Sequence, residues 1–285
     1  MLTPGQMETL KVARKAKFGY FLTDGQVDVL LHEREATKEL EEEEEVTVYL
    51  YHDHQNRIAA TMTRPHVIVG EIAWLEVVTV KPRDGLFLNN GISRDLFVSM
   101  DELPTDRNLW PQEGDSLPVT PTFDKKGRVM GKLVSGQPIE KEAKKADKTI
   151  MNTQVSGIVY HFGSEGVFLL TDEKYLALLH ESEMKEHPRL GQRLEVRVTF
   201  VREDGRINVS MHASKMESQV EDSEKVYRHL VNRGGSMPYG DKTTADEVKA
   251  RFNISKSAFK RALGKLMKED KVYQKDGWTY TKEKE

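Results

Sequence analysis

The sequence predicts a mainly β protein that closes with a small α+β domain: three small five-stranded barrels in tandem, then helices and a hairpin. Three observations lead there. Between Val155 and Met211, apolar residues alternate with polar ones in short runs (Leu194, Val196, Val198 and Phe200, then Ile207 and Val209), and Gly166, Gly191 and Gly205 interrupt them. Period-two alternation cut by glycine marks about five half-buried strands. The same text recurs upstream, where FGYFLTDGQVDVLLHE parallels GVFLLTDEKYLALLHE and EEVTVYLYHDHQNRIAATM parallels RLEVRVTFVREDGRINVSM. After Met211 the apolar period changes from two to the 3.6 of a helix.

In chain order, the first unit occupies residues 1–65, with Asp24-Gly25 as a two-residue hairpin signal between its second and third strands. The second, residues 66–136, repeats the pattern more loosely. GLFLNNGISRDLFVSMDEL carries Asn90-Gly91 at the corresponding turn, and FDKKGRVMGKLV closes the unit. An internal repeat outranks any domain count taken from length. Residues 137–150 hold a polar stretch with charges of both signs, Gln137 to Lys148, that reads as a helical linker without a core of its own. The third unit covers 151–214. In residues 215–285 a helix from Glu221 to Asn232 stops at Gly234-Gly235, and Thr244 with Glu247 forms a capping box. Ser255 caps a third helix with an apolar stripe of Phe259, Ala262, Leu263, Leu266 and Met267, and a hairpin turns at Asp276-Gly277.

Spaced residues in the third unit resemble the S1-type RNA-binding domain, an OB-fold barrel: Gly166-x-Phe168, Leu178-x-His180-x-Ser182 and Arg206-Ile-x-x-Ser210. The resemblance implies one binding face built from two aromatics, a His, an Asp and an Arg. The first unit matches all five positions with Phe18, Phe21, His32, Asp53 and Arg57. Phe18 and Phe21 fall on opposite faces of a regular strand, so a bulge at Gly19 is needed to unite them. The third unit keeps Phe168, His180 and Arg206, with Glu165 and Arg202 at the other positions and Phe162 as a replacement aromatic. The second keeps Phe87, Asp124 and Arg128 but has Asp84 and Ser99. The expected order of binding strength is first, third, second. The competing reading puts Phe21, Phe87 and Phe168 in barrel cores and leaves the arginines as exposed turn residues.

The C-terminal pattern of three helices and a hairpin resembles a winged-helix domain. Its last helix presents Lys256, Lys260, Arg261, Lys265 and Lys268 with no acidic residue among them. From residue 215 onward there are 16 basic and 12 acidic residues, whereas the whole chain has 43 and 46. The cationic surplus sits at the C-terminus, where a phosphate backbone or a protein is the alternative partner. The run Glu41–Glu45 reads as a solvated loop that repels phosphate. His52 and His54 share a strand face, but no third ligand follows at a metal-site spacing. Arg233-Gly234-Gly235 occurs once and reads as a helix terminator.

Composition narrows the classes further. With no cysteine, disulfides and thiolate metal sites are excluded, and a reducing cytoplasm is expected. No apolar run suits a signal peptide or a bilayer span, so no membrane partner is expected. No P-loop, nucleophile elbow or paired-carboxylate frame is legible, so neither catalysis nor a cofactor is expected.

Three S1-type barrels followed by a winged helix resemble the bacterial conserved virulence factor B family across nearly the whole chain. The resemblance implies a cytoplasmic post-transcriptional regulator of virulence and metabolic genes that binds single-stranded RNA. The residues alone support a non-catalytic nucleic-acid binder with single-stranded RNA preferred. Two other readings stay open: a DNA-binding regulator led by the winged helix, and a scaffold docking on ribosomes or a ribonuclease.

Overall fold

A computed structural model describes residues 2–282, with backbone only at 215–218. The first residue and the last three, at the outer ends of the first and last expected domains, lie outside the described residues. The chain divides into two compact units, 1–211 and 212–285.

The first unit holds three closed five-stranded barrels. Barrel 1 comprises β1 (Met7–Ala16), β2 (Gly19–Thr23), β3 (Asp28–His32), β4 (Glu45–His52) and β5 (Ile58–Thr61). Barrel 2 comprises β6 (Ala73–Lys81), β7 (Gly85–Leu88), β8 (Leu96–Ser99), β9 (Ser116–Phe123) and β10 (Val129–Leu133). A short helix α1 (Gln137–Glu142) precedes barrel 3, made of β11 (Gln154–Phe162), β12 (Gly166–Thr171), β13 (Leu176–His180), β14 (Arg193–Val201) and β15 (Ile207–Ser210). In each barrel the first three strands form an antiparallel meander, and the third pairs in parallel with the fifth, as Leu30 does with Ala59. That pairing closes the sheet and leaves no open edge.

Alternation sorts the side chains. Val12, Leu22, Leu31, Val48 and Leu50 fill barrel 1, and Val77, Leu86, Leu88, Val98 and Leu117 fill barrel 2. Val159, Leu169, Leu179, Val198 and Ile207 fill barrel 3. The recurring Gly-x-Phe has a steric reason. At Gly19, Gly85 and Gly166, φ is +147°, +142° and +148°, and an added Cβ would lie 2.2, 2.0 and 2.1 Å from a carbonyl oxygen of the third strand. Only glycine lets the strands approach so closely at that φ.

Several expectations change. The register shift expected at Gly19 is not there. It lies in the first strand of every barrel, between Val12 and Arg14, Val77 and Thr79, and Val159 and His161. Asp24-Gly25 belongs to a four-residue connection in which Asp24 Oδ1 accepts from the Gln26 and Val27 amides, both at 2.9 Å. Asn90-Gly91 does lie between the paired strands β7 and β8, in a seven-residue connection rather than a two-residue turn. Asn90 is buried, accepting from Val67 N–H at 3.0 Å and donating to its carbonyl at 3.3 Å, which pins the connector between barrels 1 and 2. The 137–150 linker is not coreless. Ile139 is fully buried with Val134, Tyr160, Leu170 and Leu176, and Lys144 bridges to Tyr175. Phe200 lies after a bulge between Val198 and Phe200, so it faces solvent and Val201 takes the inward place.

The C-terminal unit contains α2 (Lys215–Asn232), β16 (Ser236–Met237), α3 (Ala245–Phe252), α4 (Lys256–Lys268), β17 (Val272–Lys275) and β18 (Trp278–Thr281). Helix α2 begins six residues earlier than its apolar period indicates. Its end is a positive-φ Gly234-Gly235 pair, with Gly235 N–H donating to Leu230 C=O at 3.0 Å. The Thr244–Glu247 capping box and the Ser255 cap are both formed. Phe252 stacks on Phe259 at 5.0 Å in the core, whereas Met267 is exposed rather than part of the buried stripe. The three strands order as β16-β18-β17. Among the described residues no helix is long and apolar enough to cross a membrane.

Candidate nucleic-acid interface

Phe21, Phe87 and Phe168 occupy the same place in their barrels, on the outer face of the second strand. Each is half-buried, while its neighbours point inward and are buried: Tyr20 and Leu22, Leu86 and Leu88, Val167 and Leu169. The strand period therefore removes these three aromatics from the cores. The first-strand bulge sets what lies beside each ring. Arg14 lies over Phe21 at 4.2 Å from its centroid and pairs with Asp28 at 2.5 Å. His161 lies against Phe168 at 5.8 Å. Phe87 instead meets Phe97, its cross-strand partner on β8, with centroids 5.1 Å apart.

Phe18 precedes β2, is 47% exposed, and its carbonyl accepts from Glu33 N–H at 2.9 Å. That bond holds the Phe18 backbone beside the end of β3, where His32 stands. The histidine position has a structural duty that its sequence pattern conceals. His32 Nδ1 accepts from Arg34 N–H at 3.2 Å, capping a 3-10 turn, and His180 Nδ1 does the same for Ser182 N–H at 3.2 Å. In barrel 2 the hydroxyl of Ser99 accepts from Asp101 N–H at 3.3 Å. Serine thus keeps the cap while supplying no imidazole. With Nδ1 accepting, the neutral ring carries its proton on Nε2, a donor for a ligand.

The Asp and Arg positions form one device. Asp53 Oδ1 accepts from the Gln55 and Arg57 amides at 2.8 and 2.9 Å, and its Oδ2 takes Arg57 Nε and Nη2 at 2.9 and 2.7 Å. Asp124 repeats this with the Lys126 and Arg128 amides and the Arg128 guanidinium. Burial raises the pKa of Asp53, but donation from Arg57 and Gln55 outweighs it and the net pKa is lowered. For Asp124 the Arg128 amide is the largest cause of a lowered pKa. Both carboxylates stay ionised and aim the guanidinium, whose Nη1 takes no part in the pair.

Barrel 3 departs from this plan. Arg202 replaces the aspartate, and Arg206 pairs with Glu140 of α1 at 3.3 Å and with Asp204 at 3.5 Å. Phe168 also packs against the cluster that buries Ile139. The linker helix therefore covers part of the third barrel's face. Phe162 does not replace the missing aromatic, because it packs against the cores of barrels 2 and 3. The acidic run Glu41–Glu45 lies mostly exposed, with Glu44 paired to Lys38 at 2.5 Å and Glu43 to Lys11 at 3.6 Å. Among the described residues no group of three or more potential ligands could hold a metal ion, His52 and His54 included.

On α4, Lys260, Arg261 and Lys268 are exposed and Lys256 is half-buried. Lys265 is engaged by Glu269 at 2.6 Å, a carboxylate just past the helix end. Arg14, Phe97, His161 and Glu140 are neighbours of the candidate residues that the sequence reading did not include. Phe97 was findable, since it alternates with the inward Leu96 and Val98.

The comparisons agree with this architecture. Models of an S1 domain, of the "CvfB first S1-like domain", of the second domain of virulence regulatory factor CvfB and of a CvfB-like winged helix match residues 4–63, 72–132, 139–213 and 224–280. The Bacillus subtilis protein YitL is 42% identical over 99% of this chain and 94% of its own. A conserved virulence factor B from Staphylococcus epidermidis is 34% identical over 79% of this chain and 76% of its own, and one from Staphylococcus aureus 31% over 87% and 85%. A crystal structure from Streptococcus pneumoniae, described as a multidomain protein with nucleic acid binding domains, superposes with a TM-score of 0.69 at 29% identity, covering 98% of both chains.

Proposed function

This chain belongs to the conserved virulence factor B family, and from that premise we propose that it is a non-catalytic cytoplasmic protein that binds single-stranded RNA and regulates gene expression after transcription. One observation carries the reading: an aromatic turned out of the core at the same register in all three barrels, Phe21, Phe87 and Phe168. An outward ring costs burial and has a use if bases stack on it, at ~1–3 kcal/mol per base. Aimed guanidiniums at Arg57 and Arg128 supply the phosphate contacts, and the capped His32 and His180 supply donors. Barrel 1 is the strongest site. Barrel 3 is weakened by α1, and barrel 2 replaces its histidine but adds Phe97.

A DNA-binding reading led by the winged helix draws on the exposed Lys260 and Arg261 of α4. A salt-titrated comparison of unstructured RNA, single-stranded DNA and duplex DNA separates the two, because the salt slope counts phosphate contacts. RNA is expected to bind tightest, and Phe21→Ala with His32→Ala is expected to weaken it more than Lys260→Ala with Lys265→Ala. Tighter binding to duplex DNA, or the reverse order of the variants, overturns the proposal.

A further inference from the structure

Barrels 1 and 2 enclose an open cleft of about 670 Å³, within the ~300–1,000 Å³ of ligand clefts. One wall is the end of β4 and the turn after it, with Tyr51, His52 and His54; the other is the outer face of β7 and β8. The walls are tied together rather than loosely apposed. Val69 N–H donates to Gly5 C=O at 3.3 Å, Arg94 Nη1 lies 2.6 Å from His54 Nδ1, and the Asn90 clamp holds the connector. The cleft is therefore a preformed feature of the pair of barrels.

Its chemistry is selective. The Phe87–Phe97 pair presents two half-buried rings side by side. Arg94 and Lys126 reach the cleft exposed, and among the described residues neither has a carboxylate partner in an ion pair. Asp53, Asp84 and Asp95 also line it, so the cleft is not a plain anion trap. The Nδ1 atom of His52 is buried in the wall with no hydrogen-bond partner. Aromatic rings, carboxylate acceptors and cations match a base with exocyclic amines joined to a phosphate.

We propose that this inter-barrel cleft binds a nucleotide, taking one base on Phe87–Phe97 and its phosphate on Arg94 and Lys126, so that barrel 1 completes the face that barrel 2 presents with Phe87 and Arg128. The proposal rests on the nucleic-acid reading above for its ligand class. It goes beyond that reading in needing both barrels: the barrel 2 face by itself lacks an imidazole, and Tyr51, His52 and His54 of barrel 1 supply the facing wall. It also reverses the rank expected for barrel 2, whose face gains a wall from barrel 1.

The test uses the full chain with fluorescent twelve-residue oligo(A) and oligo(U) RNA, and separately with AMP, GMP, CMP and UMP. Phe97→Ala should weaken oligonucleotide binding at least about fivefold, and Lys126→Ala should lower the salt slope by about 0.7, one single-strand phosphate contact. Lys126 lies in an exposed turn, so its variant does not depend on tolerance at Phe97. RNA carrying 4-thiouridine should crosslink within residues 84–98. Mononucleotide binding that is lost in Phe97→Ala, without oligonucleotide binding, would support the cleft with a free nucleotide as ligand and count against the RNA reading. RNA binding that falls in Phe21→Ala but not in Phe97→Ala or Lys126→Ala would overturn the cleft and leave the RNA reading intact. Absence of binding by oligonucleotides and mononucleotides alike would refute both.

Discussion

Ile139→Ala tests how the third barrel's face is governed. The side chain is fully buried among Val134, Tyr160, Leu170 and Leu176, in a cluster that also touches Phe168 and Trp74. Truncation removes three carbons; at ~0.8 kcal/mol per buried methylene the transfer loss is about 2.4 kcal/mol. The cavity left behind brings the expected total to about 3–4 kcal/mol, inside the range for such changes. A coreless linker would lose no more than ~0.5 kcal/mol. Urea unfolding followed by tryptophan fluorescence reads the loss, because Trp74 packs edge-on against Tyr160 at 6.4 Å. Amide exchange over residues 166–178 localises it. A companion, Glu140→Gln, removes the ion pair on Arg206 without touching the core. Exposed pairs of this kind are worth ~0.2–1 kcal/mol, so RNA affinity should rise by up to about fivefold. A stability change within ~0.5 kcal/mol for Ile139→Ala, with unaltered exchange, would refute the claim that α1 is part of the third barrel.

Gly166→Ala should destabilise barrel 3 by about 1–3 kcal/mol in thermal unfolding, because a Cβ at φ +148° meets Leu179 O at 2.1 Å. A neutral result would mean the strands can separate there. Asn90→Ala should cost about 1–3 kcal/mol by leaving both backbone groups of Val67 unpaired, and faster amide exchange at Val67 would report it. The lowered pKa values of Asp53 and Asp124 mean that their turns gain stability above the ordinary aspartate value, ~3.9, and lose it as pH falls through the lower folded values. Exchange protection of the Arg57 and Arg128 amides should therefore persist at the ordinary aspartate value and drop only as pH falls below it; a drop that begins above that value would contradict the assignment. Lys260→Gln should reduce nucleic-acid affinity more than Lys265→Gln, since Glu269 already neutralises Lys265, and filter binding at low salt would reveal the opposite order.

Much of the candidate site was legible because it is local. Asp53 and Arg57 are four residues apart in one turn, and Gly19-x-Phe21 follows from the strand period, so a regular spacing carries them into the sequence. His32 was legible as a residue but not as a cap, because a histidine in that place fits a ligand equally well. Ser99 marks the cap, being the one copy in which the imidazole is absent and the bond to Asp101 N–H persists. Arg14 was invisible because its pairing with Phe21 depends on a bulge in the neighbouring strand that no sequence period marks.

What the sequence determined by itself is the set of units: three repeats with alternating cores, then capped helices and a hairpin. Those features rest on hydrogen bonds and apolar faces within a few residues of each other, and each copy confirms the next. Tertiary structure alone decided which faces remain open. Asn90 grips a connector 23 residues earlier, Ile139 is drawn from a polar linker into a core, and barrels 1 and 2 shape a cleft between them. Each depends on burial against a distant segment, a gain that no period in the chain records. A buried Asn and an exposed turn Asn, or a docked Ile and a linker Ile, read alike until the partner surface is in place.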